Sequence, residues 1–234
     1  MSFLTAEWRK LAIANYEIDP AVLNKYVPAG TELDFWNGKC FVSLVGFMFI
    51  DTRLLGVPIP FHRNFEEVNL RFYVRRFDGQ EWKRGVVFVK ELVPRKALTL
   101  VANTVYQEHY ETVQMAHSFS VEKDRLKVSY RWGGQHAFHI EANAEAEPIA
   151  TESETGFITE HYWGYTRVSE QKTFEYEVTH PTWEAYPVLH HKVAVDFGDL
   201  YGSEFAQLSD LAPSSVMLAE GSKITVEKRT RLSL

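Results

Sequence analysis

The chain has 234 residues, of which 45% are hydrophobic and 14% aromatic, enough for one sizeable core in a single domain spanning residues 1–234. Its 31 acidic residues outnumber 25 basic ones, and a net charge of -6 excludes nucleic acid as an expected partner, because phosphate binding needs a basic surface. The single cysteine, Cys40, excludes an internal disulfide framework, and no apolar run is long enough to span a membrane, so we expect a cytoplasmic protein with no membrane partner.

Turn and helix signals divide the first third of the chain. Residues 8–15 are predicted as a strand, and Asp19-Pro20 is typical of a helix start, here a short helix that runs to Tyr26. Asn37-Gly38 and Asp78-Gly79 each lie between extended stretches, and their residues tolerate the positive φ of tight turns. We therefore expect two hairpins. The first joins an extended stretch that ends near Trp36 to a strand over residues 39–51, and the second joins strands over residues 69–74 and 81–93.

The remaining elements are also mostly strands. A short helix is predicted over residues 156–162, capped by Thr155. Further strands are predicted over residues 112–121, 126–132, 136–142, 172–179, 188–195 and 224–231. Many strands with short turns predict a mainly β fold of the α+β class, an antiparallel barrel or sandwich with a few short peripheral helices.

One predicted strand carries charge into an apolar layer. Residues 86–93 are apolar on both faces except for Lys90 and Glu91, which is typical of a strand buried in a sheet. With a strict period of two residues, Glu91 shares a face with Val87, Val89 and Val93, where its carboxylate needs a partner. We predict that Glu91 is buried and paired with a cation.

Two adjacent cations, Arg95 and Lys96, follow this strand, and a second strand-like apolar run continues from residue 97 to 106. Together with Arg71 they are the candidate partners of Glu91. Two cations at the mouth of an apolar pocket are also one known way to make a lysine nucleophilic, because desolvation and a like charge both favour the neutral amine.

The strand over residues 69–75 supplies further candidates. One of its faces is apolar, and the other carries Asn69, Arg71, Tyr73 and Arg75. A cationic and aromatic strip opposite a core suits a cavity for a carboxylate or carbonyl compound, whereas the alternative is the solvent face of an outer strand.

Several sequence blocks resemble known proteins. Residues 91–96, Glu-Leu-Val-Pro-Arg-Lys, resemble the acidic-then-Pro-Lys-Lys stretch of the acetoacetate decarboxylases, and residues 8–28 also line up with that family. Residues 65–74, 84–88, 157–162 and 180–183 resemble the uncharacterised YqjF-like proteins within the acetoacetate decarboxylase-like superfamily. This resemblance covers most of the chain and implies the fold of that superfamily.

The resemblance also identifies a departure from decarboxylase chemistry. It places Arg95 at the position of the Schiff-base lysine and retains only the neighbouring cation, Lys96. The decarboxylases' site arginine falls near Arg9, and one of their site glutamates falls near Ser43. Because a guanidinium stays protonated and offers no nucleophilic nitrogen, decarboxylation is not expected. The alternative is a register shift of one residue that makes Lys96 the catalytic amine.

Two further residues have both a functional and a structural interpretation. His117 is predicted to lie on a strand face with Met115 and Phe119. It is either a buried neutral imidazole that bonds to the backbone or a catalytic base. Glu160, in a polar and aromatic cluster, is either a site residue, as the resemblance indicates, or a surface cap. The histidine spacings do not suit zinc, and no phosphate-binding glycine motif occurs, so we expect no metal and no cofactor.

The sequence thus predicts a protein that binds a small, partly apolar, anionic or carbonyl-bearing molecule in a closed β cavity. The predicted ligand-binding residues are Arg71, Tyr73, Glu91, Arg95, Lys96, His117 and Glu160. One alternative is a Schiff-base lyase or decarboxylase that uses Lys96. A second is an interaction protein whose core is filled by its own aromatic side chains. Assembly into a homo-oligomer stays open.

Overall fold

The computed structural model describes residues 2–58, 60–101, 103 and 109–232. The strands of the first half are β1 (Leu4–Glu17), β2 (Glu32–Leu33), β3 (Phe41–Leu54), β4 (Val57–Pro58), β5 (Phe65–Phe77), β6 (Trp82–Val93), β7 (Tyr110–Thr112) and β8 (Met115–Glu122). Those of the second half are β9 (Arg125–Trp132), β10 (His136–Asn143), β11 (Glu147–Pro148), β12 (Trp163–Ser169), β13 (Lys172–Thr179), β14 (Glu184–Tyr186), β15 (Val188–Ala194), β16 (Ser215–Val226) and β17 (Thr230–Arg231).

The helices are short and few by comparison. They are α1 (Pro20–Leu23), α2 (Lys96–Val101), α3 (Glu154–Thr159) and α4 (Phe197–Tyr201), and a 3₁₀ helix follows over Ser203–Ser209. In the described part of the chain, none of them is both long and apolar enough to cross a membrane. The mainly β, α+β prediction is confirmed.

The larger sheet curls back on itself. Seven of its strands follow one another in the order β16, β1, β3, β5, β6, β12 and β13, and β13 pairs again with β16. All of these pairs are antiparallel except β6 with β12. The joins of β6 with β12 and of β13 with β16 each involve only two residue pairs, so the enclosure is less regular than a barrel with full ladders.

A second, antiparallel sheet of β8, β9, β10 and β15 makes the architecture sandwich-like. Its apolar face joins Leu44, Leu70 and Phe72 of the larger sheet in one buried cluster with Tyr130 and Phe138. The Tyr130 hydroxyl donates a hydrogen bond of 2.8 Å to the carbonyl oxygen of Lys10. The two sheets therefore pack closely over one face of β1, β3 and β5.

The opposite face of the same strands lines the inside of the curl. Leu11, Ile13, Val45, Phe47 and Tyr73 belong to a second buried cluster there. Because successive side chains of a strand point to opposite faces, each strand contributes to both clusters. Alternate side chains of β5 and β6 therefore point to the inside of the curled sheet.

The predicted turns are present. Asn37 and Gly38 have φ of 49° and 79° and lie in a tight turn between paired Trp36 and Lys39. Gly79 has φ of 99°, but its turn is a four-residue loop between Phe77 and Trp82, the last pair of β5 and β6. Both dipeptides thus lie at turns, and only the second loop is longer than predicted.

Several boundaries differ from the sequence prediction. Asp19 caps α1 by accepting a 2.9 Å hydrogen bond from the Ala21 amide, but the helix ends at Leu23 rather than Tyr26. The cap of α3 is Ser153, whose hydroxyl accepts from the Gly156 amide, and not Thr155.

The apolar run after Arg95, predicted as a strand, begins as helix α2 instead, and residues 102 and 104–108 of that run lie outside the described residues. A proline just before the helix stops β6, so the chain leaves the sheet at this point. Strand β12 and the first nine of the twelve residues of β16 were not predicted.

Candidate functional site

The curled sheet encloses a cavity of about 230 Å³. Most of its lining is aromatic or aliphatic, including Trp8, Phe47, Phe49, Phe65, Phe88, Trp163, Tyr176 and Trp183. The polar side chains of the lining include Glu67, Asn69, Arg71, Glu91, Tyr110, Thr159, His161 and His180. An apolar cavity with a few polar groups is the usual form of a small-molecule site, and it argues against a core filled by its own aromatic side chains.

The alternation of β5 brings three of the polar groups into the cavity. Glu67, Asn69 and Arg71 lie on the inner face, whereas the intervening apolar residues pack between the two sheets. Arg75, on the same predicted strip, is at the far end of the strand, where it forms a 2.8 Å ion pair with Glu32. The strip is therefore a cavity face at one end and a solvent face at the other.

A β-bulge directs Glu91 into the cavity. The register between β5 and β6 passes from Leu70 opposite Lys90 to Arg71 opposite Phe88, which leaves Val89 as an extra residue. Glu91 consequently lies on the same inner side as Phe88 and not on the side of Val89. The predicted burial is confirmed, since Glu91 is 3% exposed. The predicted face is right for Val93, which belongs to the inner cluster, and wrong for Val87 and Val89, because a strict period of two does not continue through a bulge.

A second buried carboxylate lies beside Glu91. Glu67 accepts hydrogen bonds of 3.0 Å from the Asn69 amide nitrogen and 3.1 Å from the Tyr110 hydroxyl. Burial raises the pKa of Glu67 to about 7, and burial together with the charges of Glu67 and Glu91 raises the pKa of Tyr110 well above its usual range. Near neutral pH this wall of the cavity therefore holds a proton that a solvated carboxylate would release.

Arg71 is a buried cation that forms no direct ion pair in the described part of the chain, although its charge acts on Glu67 at longer range. Its side chain donates a single long hydrogen bond of 3.5 Å, from Nη2 to the carbonyl oxygen of Ile158, and its Nε is buried without a hydrogen-bond partner. None of the ion pairs among the described residues includes Arg71, so the predicted pair with Glu91 is not formed. A guanidinium in this state has unused donors directed at an apolar cavity.

His161 and Asp34 form a buried pair at the same end of the cavity. The Nε2 of His161 lies 3.2 Å from Asp34 Oδ2, which also accepts a 2.7 Å hydrogen bond from Arg84 Nε. Burial lowers the pKa of His161 to about 4, aided by the positive charges of Arg84 and Arg71 and opposed by the hydrogen bond to Asp34. Burial alone would raise the pKa of Asp34, but the hydrogen bonds from His161 and Arg84 outweigh it and lower that pKa.

These states fix the tautomer of His161. A neutral imidazole facing an ionised carboxylate must carry its proton on Nε2, which leaves a lone pair on Nδ1. That atom is buried and has no hydrogen-bond partner in the described structure. The sequence prediction selected the neighbouring Glu160 and missed His161, because Asp34 lies 127 residues away in the chain.

Of the seven predicted site residues, Arg71 and Glu91 belong to the described lining of the cavity and the other five lie outside it. Arg95 and Lys96 are exposed where β6 gives way to α2, and neither lines the cavity or pairs with Glu91. Glu160 is half-buried and accepts a hydrogen bond from the Tyr162 hydroxyl. The prediction that Arg95 and Lys96 lie at the mouth of the pocket is therefore wrong, because the chain leaves the sheet before it reaches these two residues.

The last two predicted site residues, Tyr73 and His117, lie in different surroundings. Tyr73 is buried beside the cavity, with its ring centre 4.7 Å from that of His161 and its hydroxyl 2.7 Å from Ser43 Oγ. His117 is exposed on β8 and lies 2.6 Å from Glu66 Oε1, so the predicted buried imidazole was wrong. The physical reason is that β8 is an edge strand of the smaller sheet.

Comparison with solved structures defines the class of fold. An acetoacetate decarboxylase from Legionella pneumophila superposes with a TM-score of 0.66, at 13% sequence identity over 98% of this chain and 87% of that one. The enduracididine biosynthesis enzyme MppR, solved in complex with pyruvate, gives a TM-score of 0.64 at 13% identity, over 100% of this chain and 91% of that one. The chain has the acetoacetate decarboxylase-like fold.

Comparison with sequences then identifies the family. Residues 5–223 match DUF2071, described as an uncharacterized conserved protein, and the chain belongs to this family. The uncharacterized protein YqjF of Bacillus subtilis (strain 168) is 28% identical over 183 residues, which cover 75% of this chain and 72% of that protein. The family resemblance found in the sequence is confirmed. Among the described residues, no group of three side chains could hold a metal ion.

Proposed function

We propose that this protein binds a small, partly apolar carboxylate that also carries a carbonyl group, with Arg71 as its anion-binding residue. The observation that carries the proposal is the state of Arg71, a buried guanidinium that faces an apolar cavity with one long hydrogen bond and no ion pair in the described structure. A bound carboxylate would pair directly with Arg71 and accept two hydrogen bonds from the planar guanidinium.

The shape of the cavity supports an organic acid rather than an inorganic anion. About 230 Å³ is more than a single small ion fills, and aromatic rings surround most of the space. The acid's apolar carbons would pack against these rings while its carboxylate faces Arg71. MppR, which shares the fold, was solved with pyruvate, a small carboxylate with a carbonyl group.

The alternative of a Schiff-base enzyme lacks an amine. Lys96 is exposed beyond the end of β6, and the described lining of the cavity contains no lysine. Imine formation needs a neutral amine beside the bound carbonyl compound. Non-covalent binding is therefore the function that the arrangement supports best.

Isothermal titration calorimetry with 4-methyl-2-oxopentanoate tests the proposal. Arg71→Met removes the guanidinium with little loss of volume, and Arg75→Met is the matched control on the same strand, outside the cavity. Loss of hydrogen bonds to a charged group costs about 1.5–3 kcal/mol, so we expect roughly 10- to 150-fold weaker binding by Arg71→Met. The affinity of Arg75→Met should stay within about twofold of wild type.

The neutral ketone 4-methylpentan-2-one completes the experiment, because it keeps the apolar body and lacks the carboxylate. It should bind more weakly than the acid to the wild type and equally to both wild type and Arg71→Met. Equal affinity of Arg71→Met and wild type for the acid, or no binding of the acid by the wild type, would contradict the proposal.

A further inference from the structure

We propose that His161, positioned by Asp34, is a general base that removes a proton from the carbon next to the carbonyl group of the carboxylate bound at Arg71. The cavity would then catalyse enolisation without a covalent imine. This inference rests on the proposed function, since the substrate is the acid that Arg71 holds.

The imidazole of His161 is held in a fixed orientation. Nε2 of His161 is committed to Asp34 at 3.2 Å, and Arg84 holds the same carboxylate oxygen from the other side at 2.7 Å. The rings of Tyr73 and Phe157 pack on the imidazole, with ring centres 4.7 Å and 5.0 Å away. A histidine held by a carboxylate, with its second nitrogen available, is the arrangement by which general bases are oriented.

The Nδ1 atom of His161 has a lone pair without a hydrogen-bond partner among the described residues. Nδ1 of His161 is buried and makes no hydrogen bond in the part of the chain that the structure describes, although the side chain lines the cavity. A buried acceptor without a donor is destabilising, so a purely structural histidine would be expected to satisfy both nitrogens.

The anion-binding group, Arg71, contacts the segment that carries His161. Arg71 donates to the carbonyl oxygen of Ile158, three residues before His161 at the end of α3, so one short segment positions both groups. The charge of Arg71 also acts on the imidazole, as one cause of its lowered pKa. A carboxylate bound to Arg71 would offset this charge and make His161 a stronger base, which links binding to chemistry.

The proposed step conserves atoms and charge. His161 Nδ1 takes a proton from C3 of a 2-oxo carboxylate, and the C–H bonding pair becomes the C2–C3 double bond. The C2 carbonyl becomes an enolate oxygen, whose negative charge is stabilised by the guanidinium of Arg71 and by the imidazolium that has formed. Return of a proton from the imidazolium to C3 restores the ketone. In D₂O the imidazolium exchanges with solvent, so deuterium enters at C3.

Proton NMR of 4-methyl-2-oxopentanoate in D₂O measures this exchange. We expect the wild type to accelerate loss of the C3 proton signals and His161→Gln to lower the rate by roughly 10²- to 10⁴-fold, the usual contribution of a general base. His117→Gln is the matched control, because that histidine is exposed on β8 outside the cavity, and it should keep the wild-type rate.

Calorimetry on the same variants separates the two proposals. The proposed base is refuted if the wild type binds the acid but does not exchange its C3 protons for deuterium, or if His161→Gln exchanges them at the wild-type rate. In either case the proposed binding site is unaffected. If the wild type does not bind the acid, the proposed function fails and the base fails with it.

A measurement on the wild type tests the proposal even if the His161→Gln variant does not fold. With ¹⁵N-labelled histidine, NMR should show His161 as a neutral ring protonated on Nε2, and the Nδ1 resonance should shift when the acid binds. A ring protonated on Nδ1 would overturn the proposal, because no lone pair would then face the substrate.

Discussion

Replacing Glu67 with glutamine should change how the stability of the fold depends on pH. Burial raises the pKa of Glu67 from 4.5 to about 7. Between these two values the folded chain holds a proton that the unfolded chain has released, so rising pH favours unfolding. The stabilisation is complete below pH 4.5 and is lost as the pH rises through 7.

The size of the effect follows from the shift in pKa. Each unit corresponds to about 1.4 kcal/mol, so a shift from 4.5 to about 7 corresponds to about 3 kcal/mol. His161 acts in the opposite direction, because its pKa is lowered from 6.5 to about 4 and the unfolded chain takes up the extra proton between these values. In the wild type the two effects should largely cancel over this range.

Glu67→Gln removes one of these opposing effects and keeps the shape of the protonated side chain. Relative to wild type, the free energy of unfolding of the variant should rise by about 3 kcal/mol between pH 4.5 and pH 8. Urea titrations followed by tryptophan fluorescence at pH 5, 6, 7 and 8 measure this difference. Glu122→Gln, an exposed carboxylate paired with Lys127 at 2.8 Å, is the control and should run parallel to wild type. A difference between Glu67→Gln and wild type that stays constant with pH would refute the reasoning.

Two further predictions concern packing and covalent chemistry. A Cβ at Gly85 would lie 2.5 Å from the Trp163 carbonyl oxygen, across the β6–β12 join, so Gly85→Ala should lower the free energy of unfolding by about 1–3 kcal/mol in urea titrations. Unchanged stability would show that the join tolerates a wider spacing. Incubation with acetoacetate and borohydride should leave the intact mass unchanged, because the described lining of the cavity contains no lysine. A reduced adduct on Lys96 would contradict this and favour the Schiff-base alternative.

The sequence by itself determined the features that depend on neighbouring residues. The Asn37-Gly38 turn, the Asp19 cap and the inner face of β5 that carries Asn69 and Arg71 all follow from local backbone preference or from side-chain alternation. The family resemblance added the class of fold. These signals made Arg71 a candidate for a cavity in a mainly β protein, with the solvent face of an outer strand as the alternative.

Only the tertiary structure decided which other groups join Arg71. The bulge at Val89 depends on how β6 pairs with β5, and it reverses the face on which Glu91 lies. His161 meets Asp34 only because α3 and the loop before β3 come together at one end of the curled sheet. Pairings of this kind depend on the register and curvature of the whole sheet, which no short stretch of sequence encodes, and for that reason the central histidine of the site was missed while its arginine was found.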